Sequence, residues 1–139
     1  MLVLTDTDPA ISSEDFLQFE EILGKKLPKS MMDFYLKHNG GQPQVMGVHD
    51  EHHLFPFNSF NSLEEMRKSL TWYDDEAVPA GFRATDLLHF AYDPGSGNYA
   101  LSLREEDYGM VYFYVLEEKA EIYGQWASFA EFLNSFVEE

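Results

Sequence analysis

Apolar residues recur every three or four positions in four stretches of the chain, a spacing that predicts amphipathic helices. The first helix is predicted to begin near Ser12 or Ser13 and to end at Gly24. The second is predicted to begin at Pro28 and to end at the Asn39-Gly40-Gly41 run. The other two begin at S-x-x-E capping boxes, which are Ser62 with Glu65 and Ser128 with Glu131. The predicted buried faces carry Phe16, Phe19, Leu23, Met32, Tyr35, Leu36, Leu63, Met66, Leu70, Phe129, Phe132, Leu133 and Phe136.

A period of two predicts strands in the rest of the chain. The predicted strands are residues 87–92, 98–104, 110–116 and 120–124, with a short strand at 54–57 and a strand or loop at 45–48. The separators between the longer strands are short and turn-like, which favours an antiparallel meander. We therefore expect an α+β fold, with four helices packed mainly on one face of a largely antiparallel sheet. The other face is expected to be solvated and to carry His89, Ser102, Arg104, Tyr112, Tyr114, Glu121 and Tyr123.

Length and composition indicate one domain over residues 1–139, because no repeat, linker or low-complexity run divides the chain. The chain has no cysteine, which excludes disulfides, thiolate nucleophiles and Cys-ligated metal sites. The first residues, MLVLTDTDPA, lack the basic stretch and the cleavage site of a signal peptide. We therefore expect a cytoplasmic protein.

The charge of the chain narrows the choice of partner. Its 25 acidic and 9 basic residues give a formal net charge of −16, which repels phosphate backbones and anionic lipids. Nucleic acid and membrane are therefore not expected as partners. The same field steers a basic protein toward this one. Solubility alone is an equally good explanation of the charge.

The sequence contains no recognisable motif for catalysis, cofactor binding or metal binding. The stretch from His49 to His53 is rich in imidazoles and carboxylates, but its spacing fits a solvated loop better than a zinc motif. The glycines of residues 93–98 precede a strand, so they predict a hairpin turn and not a phosphate loop. No G-x-S-x-G elbow is present. We predict no catalytic residue, cofactor or metal, and an enzyme acting on a cationic small molecule is the least favoured hypothesis.

Two groups of residues suit protein recognition. In the first, the aromatic pair Trp72-Tyr73 precedes three carboxylates, a composition typical of interface hot spots, although a buried tryptophan beside a solvated loop is an alternative. In the second, tyrosines line the sheet face that is expected to be solvated. The alternative is that pairs of aromatic side chains on neighbouring strands stabilise this face without any partner. The predicted partner-binding residues are Trp72, Tyr73, Asp74, Asp75, Glu76, Tyr112, Tyr114 and Tyr123, with Glu105, Glu106 and Asp107 as a rim.

The chain also resembles the Smi/Knr type of the SUKH superfamily, which includes cell-wall-assembly-regulator-like domains and bacterial toxin-immunity proteins. The resemblance lies in LGKKLPKSMMDFYLKHNGG, FAYDPGSGNYALSL, DYGMVYFYVLEE and SFAEFL, which occur in the family's order. The chain departs from the family pattern in its DPGSGN turn, where adjacent glycines are commoner, and at Tyr114, where tryptophan is commoner.

This resemblance implies an α+β fold, no catalysis and the binding of a protein partner. For bacterial members it implies an immunity protein that neutralises a toxin domain, often a nuclease, by stoichiometric binding. An acidic surface suits that role, because a nuclease presents a basic cleft. A regulatory adaptor, similar to the cell-wall-linked relatives, is the alternative.

Overall fold

Helices and antiparallel strands make up the fold, which the computed structural model describes for residues 2–44, 47–115 and 120–137. The α-helices of this part of the chain are α1 (Ser13–Leu23), α2 (Lys29–Lys37), α3 (Leu63–Ser69) and α4 (Phe129–Leu133). The strands are β1 (Leu4–Thr5), β2 (Gln42–Pro43), β3 (Gly47–His49), β4 (Leu54–Pro56), β5 (Ser59–Phe60), β6 (Leu87–Tyr92), β7 (Gly97–Ser102), β8 (Val111–Val115), β9 (Glu121–Trp126) and β10 (Phe136–Val137). Strands β5 to β9 form a five-stranded antiparallel sheet in chain order, beside a small β10-β3-β4 sheet and a β1-β2 pair. The predicted α+β class is confirmed.

The starts of the helices coincide with their predicted caps. The Ser12 side chain accepts a hydrogen bond from the Asp15 N–H at 3.1 Å, and the Asp15 carboxylate accepts one from the Ser12 N–H at 3.0 Å. Ser62 and Glu65 exchange the same pair of bonds at the start of α3. Helix α1 ends at Gly24, whose φ of 76° lies in the left-handed region. These caps are local, so the sequence alone is enough to place them.

The buried stripe of α2 differs from the prediction. Met31, Phe34 and Tyr35 are buried, whereas Met32 and Leu36 are only partly buried. Both sets of residues have helical spacing, because apolar side chains surround much of this helix. Period alone therefore does not decide which stripe faces the core.

The end of the last helix also differs from the prediction. Helix α4 ends at Leu133, and Phe136, which was predicted to extend its apolar stripe, lies in β10 opposite Val48 of β3. The Phe136 ring still packs in the core, with its centroid 4.8 Å from that of Phe57 and 5.4 Å from that of Phe132. A strand buries the Phe136 side chain as well as a helix does, so the apolar pattern did not distinguish the two structures.

The observed strands lie close to the predicted ones. Strand β6 has the predicted bounds, β7 and β8 are shorter, and β9 extends two residues beyond its predicted end. The segment at 45–48, predicted as a strand or a loop, overlaps β3, and residues 45 and 46 lie outside the described residues. Residue 116, the last of another predicted strand, also lies outside them.

The two faces of the five-stranded sheet separate as the strand alternation predicts. Tyr99 of β7 and Phe113 of β8 belong to the large apolar cluster that contains the helices, whereas Tyr112 and Tyr114 belong to a smaller cluster on the other face. The helices contribute Phe16, Met31, Met66 and Phe129, among others, to the large cluster. The helices therefore pack on one face, as predicted.

The second face of the sheet is covered, and the prediction that it is solvated is wrong for its centre. Residues 71–86, which we call the cover segment, cross this face and pack Val78 and Phe82 against it. Val78 and Phe82 are four residues apart, but Pro79 and Gly81 lie between them, so the sequence predicted neither a helix nor a strand here. The buried residues that were predicted to be solvated are His89, Ser102, Tyr112 and Tyr114, with 4%, 0%, 7% and 0% exposure.

Candidate protein interface

The cover segment is attached to the sheet through Tyr73. Its ring stacks on the His89 imidazole, with centroids 3.8 Å apart and planes inclined by 14°. Its hydroxyl donates a hydrogen bond to Asn98 Oδ1 at 3.1 Å. The His89 Nε2 lies 2.5 Å from the Tyr114 hydroxyl, and burial lowers the pKa of His89 to about 4. Tyr73 is therefore partly buried and fixes the segment, and it offers less contact area than the sequence suggested.

Two of the three carboxylates after Tyr73 shape the cover segment. Asp74 Oδ1 accepts hydrogen bonds from the Glu76 N–H at 3.0 Å and the Ala77 N–H at 3.1 Å. Asp75 Oδ1 accepts one from the Ala84 N–H at 2.8 Å. All three acidic residues remain exposed. The negative charge of this loop is therefore held in a fixed position, since backbone groups hold two of its carboxylates.

Trp72 lies on the surface immediately before this acidic loop. Its backbone N–H donates to the Ser69 carbonyl, and its side chain is 67% exposed. The alternative of a buried tryptophan is wrong. Together these residues form one surface, which we call the Trp72 patch and which consists of Trp72, Asp74, Asp75 and Glu76.

Asp107 lies inside a network and does not form part of an open rim. Its carboxylate accepts hydrogen bonds from Ser102 Oγ (2.5 Å), the Tyr112 hydroxyl (2.6 Å), Arg104 Nε (3.0 Å) and Arg104 Nη2 (2.6 Å). Partial burial acts to raise the pKa of Asp107, but these hydrogen bonds outweigh it and lower the pKa to about 2. The same network uses the hydroxyl of Tyr112. The predicted roles of Asp107 and Tyr112 as contact residues therefore do not fit their surroundings.

Arg104 connects this network to Gly81 and Phe82 of the cover segment. Its guanidinium carbon lies 3.7 Å from the centroid of the Phe82 ring, and its Nη1 donates to the Gly81 carbonyl at 3.1 Å. The neighbouring Glu105 and Glu106 are exposed, as predicted. The two glutamates thus follow directly after Arg104, which contacts the cover segment at Gly81 and Phe82.

The histidine-rich loop at residues 49–53 is organised by Asp50. Its Oδ1 accepts hydrogen bonds from the His52 and His53 N–H groups at 2.9 Å, and its Oδ2 accepts one from the Gln125 N–H at 3.3 Å. Slight burial acts to raise the pKa of Asp50, but the three backbone hydrogen bonds lower it below its ordinary value. Within the described ranges, no three His, Asp or Glu side chains converge in a way that could hold a metal ion.

A groove that sequence reasoning missed lies along β9, the last strand of the five-stranded sheet. Its volume is about 660 Å³, and it is lined by the 49–53 loop, by β9 and by the end of α4. Tyr123, predicted as a contact residue, lies here and is 49% exposed. The 49–53 loop is far in the chain from β9 and α4, so the only local signal was the apolar pair of Ile122 and Tyr123 in a weak strand.

Comparison with known protein families shows which family the chain belongs to. The profile of the SMI1/KNR4 family (SUKH-1) matches residues 10–135. The chain belongs to this family. SUKH-1 proteins commonly act as toxin immunity proteins, and SUKH proteins are generally non-catalytic. No curated protein matches this SUKH-1 chain. In the described part of the chain, no helix has the length and apolar character needed to cross a membrane.

Proposed function

We propose that this SUKH-1 protein is a cytoplasmic immunity protein that neutralises a basic toxin domain, such as a nuclease, by non-catalytic, one-to-one binding. The observation that carries the proposal is the Trp72 patch, where a tryptophan that is 67% exposed precedes three exposed carboxylates. Tryptophan is among the residues that contribute most to binding energy at protein interfaces. An exposed tryptophan beside a fixed loop is thus available as an anchor for a partner.

The attachment of the cover segment supports this role. Binding is weakened when loops must be ordered on contact, and each immobilised side chain costs about 0.5–1.5 kcal/mol. Here the stack of Tyr73 on His89 and the bond from Ala84 to Asp75 fix the segment before a partner arrives. The Trp72 patch is therefore preorganised.

The charge of the protein supports a basic partner. A formal net charge of −16 accelerates the encounter with a positive surface, and the carboxylates of the Trp72 patch place part of that charge beside the aromatic anchor. A nuclease must present a positive cleft to its phosphate-rich substrate. An acidic patch that covers such a cleft blocks the substrate without any chemistry.

Capture and neutralisation test the proposal. The tagged protein is expressed in its native cell, and the captured partner is identified by mass spectrometry, purified and assayed for nucleic-acid degradation. We expect its activity to disappear when the two proteins are mixed in equal amounts. Capture of housekeeping proteins that keep their activity would support a regulatory adaptor and contradict the immunity role. A thermal-shift screen against metals and metabolites checks the enzyme hypothesis, which only a reproducible hit would revive.

A further inference from the structure

The groove along β9 is a second surface, separate from the Trp72 patch. Strand β9 is at the edge of the five-stranded sheet, so no other strand of that sheet pairs with its outer side. The 49–53 loop covers only its last two residues, through the Gln125 N–H on Asp50 and the Trp126 Nε1 on the His49 carbonyl at 2.9 Å. Ile122, Tyr123 and Gly124, which precede these two residues, also line the groove, and in the described part of the chain no strand pairs with their outer side.

The groove combines exposed apolar side chains with negative charge. Ile122 and Tyr123 are 38% and 49% exposed, and both line it. Asp50, Glu51 and Glu131 line it as well, and the described lining contains neither lysine nor arginine. The low pKa of Asp50 keeps its carboxylate charged at neutral pH. The groove thus offers a cationic side chain both carboxylates and the exposed aromatic ring of Tyr123 as contacts.

A second copy of this chain is a poor occupant for the groove. Two molecules with a formal charge of −16 each repel one another, and the lining of the groove is itself acidic. The register of β9 against β8 also shifts between Phe113 and Tyr114, which leaves a bulge at Tyr123. Bulges at edge strands hinder continuous pairing with another strand. An occupant is therefore held by its side chains more than by a long backbone ladder.

We propose that this groove binds a short, extended, basic segment of the partner protein, with lysine or arginine beside Tyr123 and an apolar side chain on Ile122. This proposal rests on the proposed function, because it assigns a second contact surface to the same partner. The Trp72 patch and the groove then hold the partner at two separate places.

A peptide titration tests the groove without the partner. The probe is a short peptide of alternating lysine and valine, and its matched control replaces lysine with glutamate. The protein has two tryptophans, so the Trp72→Phe variant leaves Trp126, in the floor of the groove, as the only fluorescent indole. We expect the basic peptide, and not the acidic one, to change this fluorescence and the amide NMR shifts of residues 49–53 and 121–126.

Two matched variants locate the binding. Ile122→Arg places a cation in the groove, whereas Leu17→Arg makes the same change at a position of α1 that is 48% exposed and outside the groove. We expect Ile122→Arg to raise the Kd of the basic peptide at least about tenfold and Leu17→Arg to leave it within about twofold. Thermal unfolding of both variants confirms that they are folded.

The outcomes separate this inference from the proposed function. A basic peptide with a Kd above about 1 mM, shifts outside the groove, or equal effects of the two arginine variants would overturn the groove as a binding site. Dimers in sedimentation that Ile122→Arg abolishes would replace the basic segment with a second copy. If the captured toxin is neutralised equally well by wild type and Ile122→Arg, the groove plays no part and the immunity role stands. If the peptide binds but the captured partner is not neutralised, the groove stands and the immunity role fails.

Discussion

Gly124 of β9 lies directly against the ring of Phe55 in β4. A Cβ atom at Gly124 would be 2.5 Å from Phe55 Cε2 and 2.9 Å from Cζ, distances that real side chains do not reach. Phe55 in turn packs on Phe113 and Trp126, with ring centroids 5.0 and 6.0 Å apart. The absence of a side chain at Gly124 therefore allows the small β10-β3-β4 sheet to approach the edge of the five-stranded sheet.

Gly124→Ala is expected to destabilise the protein by about 1–3 kcal/mol, because the Phe55 ring must leave its place in a packed core. The measurement is the free energy of unfolding in urea. Gly95→Ala is the matched control, since its Cβ would meet nothing closer than 3.7 Å, and it should change stability by less than about 0.5 kcal/mol. The double variant with Phe55→Leu should cost less than the sum of the two single changes, and strict additivity would refute the contact.

The contact between Gly124 and Phe55 also shows where sequence reasoning stops. Helix caps at Ser12 and Ser62 and the alternation of β7 and β8 depend on neighbouring residues, so the sequence was sufficient to predict them. The contact of Gly124 with Phe55 and the groove beside it depend on segments far apart in the chain. No local pattern encodes such contacts.

The burial of the second sheet face is the clearest example among the candidate site residues. The alternation correctly placed Tyr112 and Tyr114 opposite the helix-covered face. It could not show that Val78 and Phe82 would cover them, because these two residues belong to an irregular segment without a period. The exposure of Trp72 was similarly undecided, since a tryptophan after a helix is found both in cores and on surfaces.

The buried imidazole of His89 should make stability depend on pH. Its pKa falls from the ordinary 6.5 to about 4 because burial disfavours the charged form. Between these pH values the unfolded chain binds a proton at His89 that the folded protein does not bind. Stability is therefore complete above about pH 6.5 and is lost as the pH falls toward 4, by up to about 1.4 kcal/mol per pH unit from this group.

His89→Gln removes the titrating group and keeps a polar side chain near the Tyr114 hydroxyl. Urea unfolding of both proteins between pH 4.5 and 7.5 is expected to show a smaller loss of stability on acidification in the variant. The comparison cancels the other titrating groups, which both proteins share. Equal pH slopes in the two proteins would show that His89 is not buried in its neutral form.

Asp107 is expected to contribute to stability and not to binding. Asp107→Asn removes a charge that accepts hydrogen bonds from three residues, so we expect a loss of about 1–3 kcal/mol in the free energy of unfolding. Glu106→Gln makes the same chemical change at an exposed neighbour and should cost less than about 0.5 kcal/mol. Equal effects of the two variants would contradict the network. Because the pKa of Asp107 is low, its contribution to stability is lost only below about pH 4, as the pH falls toward 2.

Substitutions in the Trp72 patch should affect the association and dissociation rate constants of binding to the captured toxin differently. Trp72→Ala removes the aromatic anchor, so we expect faster dissociation and a Kd raised about thirtyfold, the equivalent of about 2 kcal/mol. Glu76→Lys reverses a charge at the edge of the patch, so we expect slower association and a weaker dependence of the association rate on salt. Glu76 is the better position for charge reversal, because Asp74 and Asp75 also hold the loop.

Asp8→Lys provides the matched control for charge. It changes the net charge by the same amount at an exposed residue near the start of α3, whereas Trp72 follows the end of that helix. Surface plasmon resonance at several salt concentrations measures both rate constants for all three variants. If only the overall charge of the protein matters, Asp8→Lys and Glu76→Lys will slow association equally. If Glu76→Lys slows association more than Asp8→Lys does, and Trp72→Ala dissociates faster than the wild type, the toxin binds at the Trp72 patch. The net charge of the protein alone would change the association rates of the two lysine variants equally.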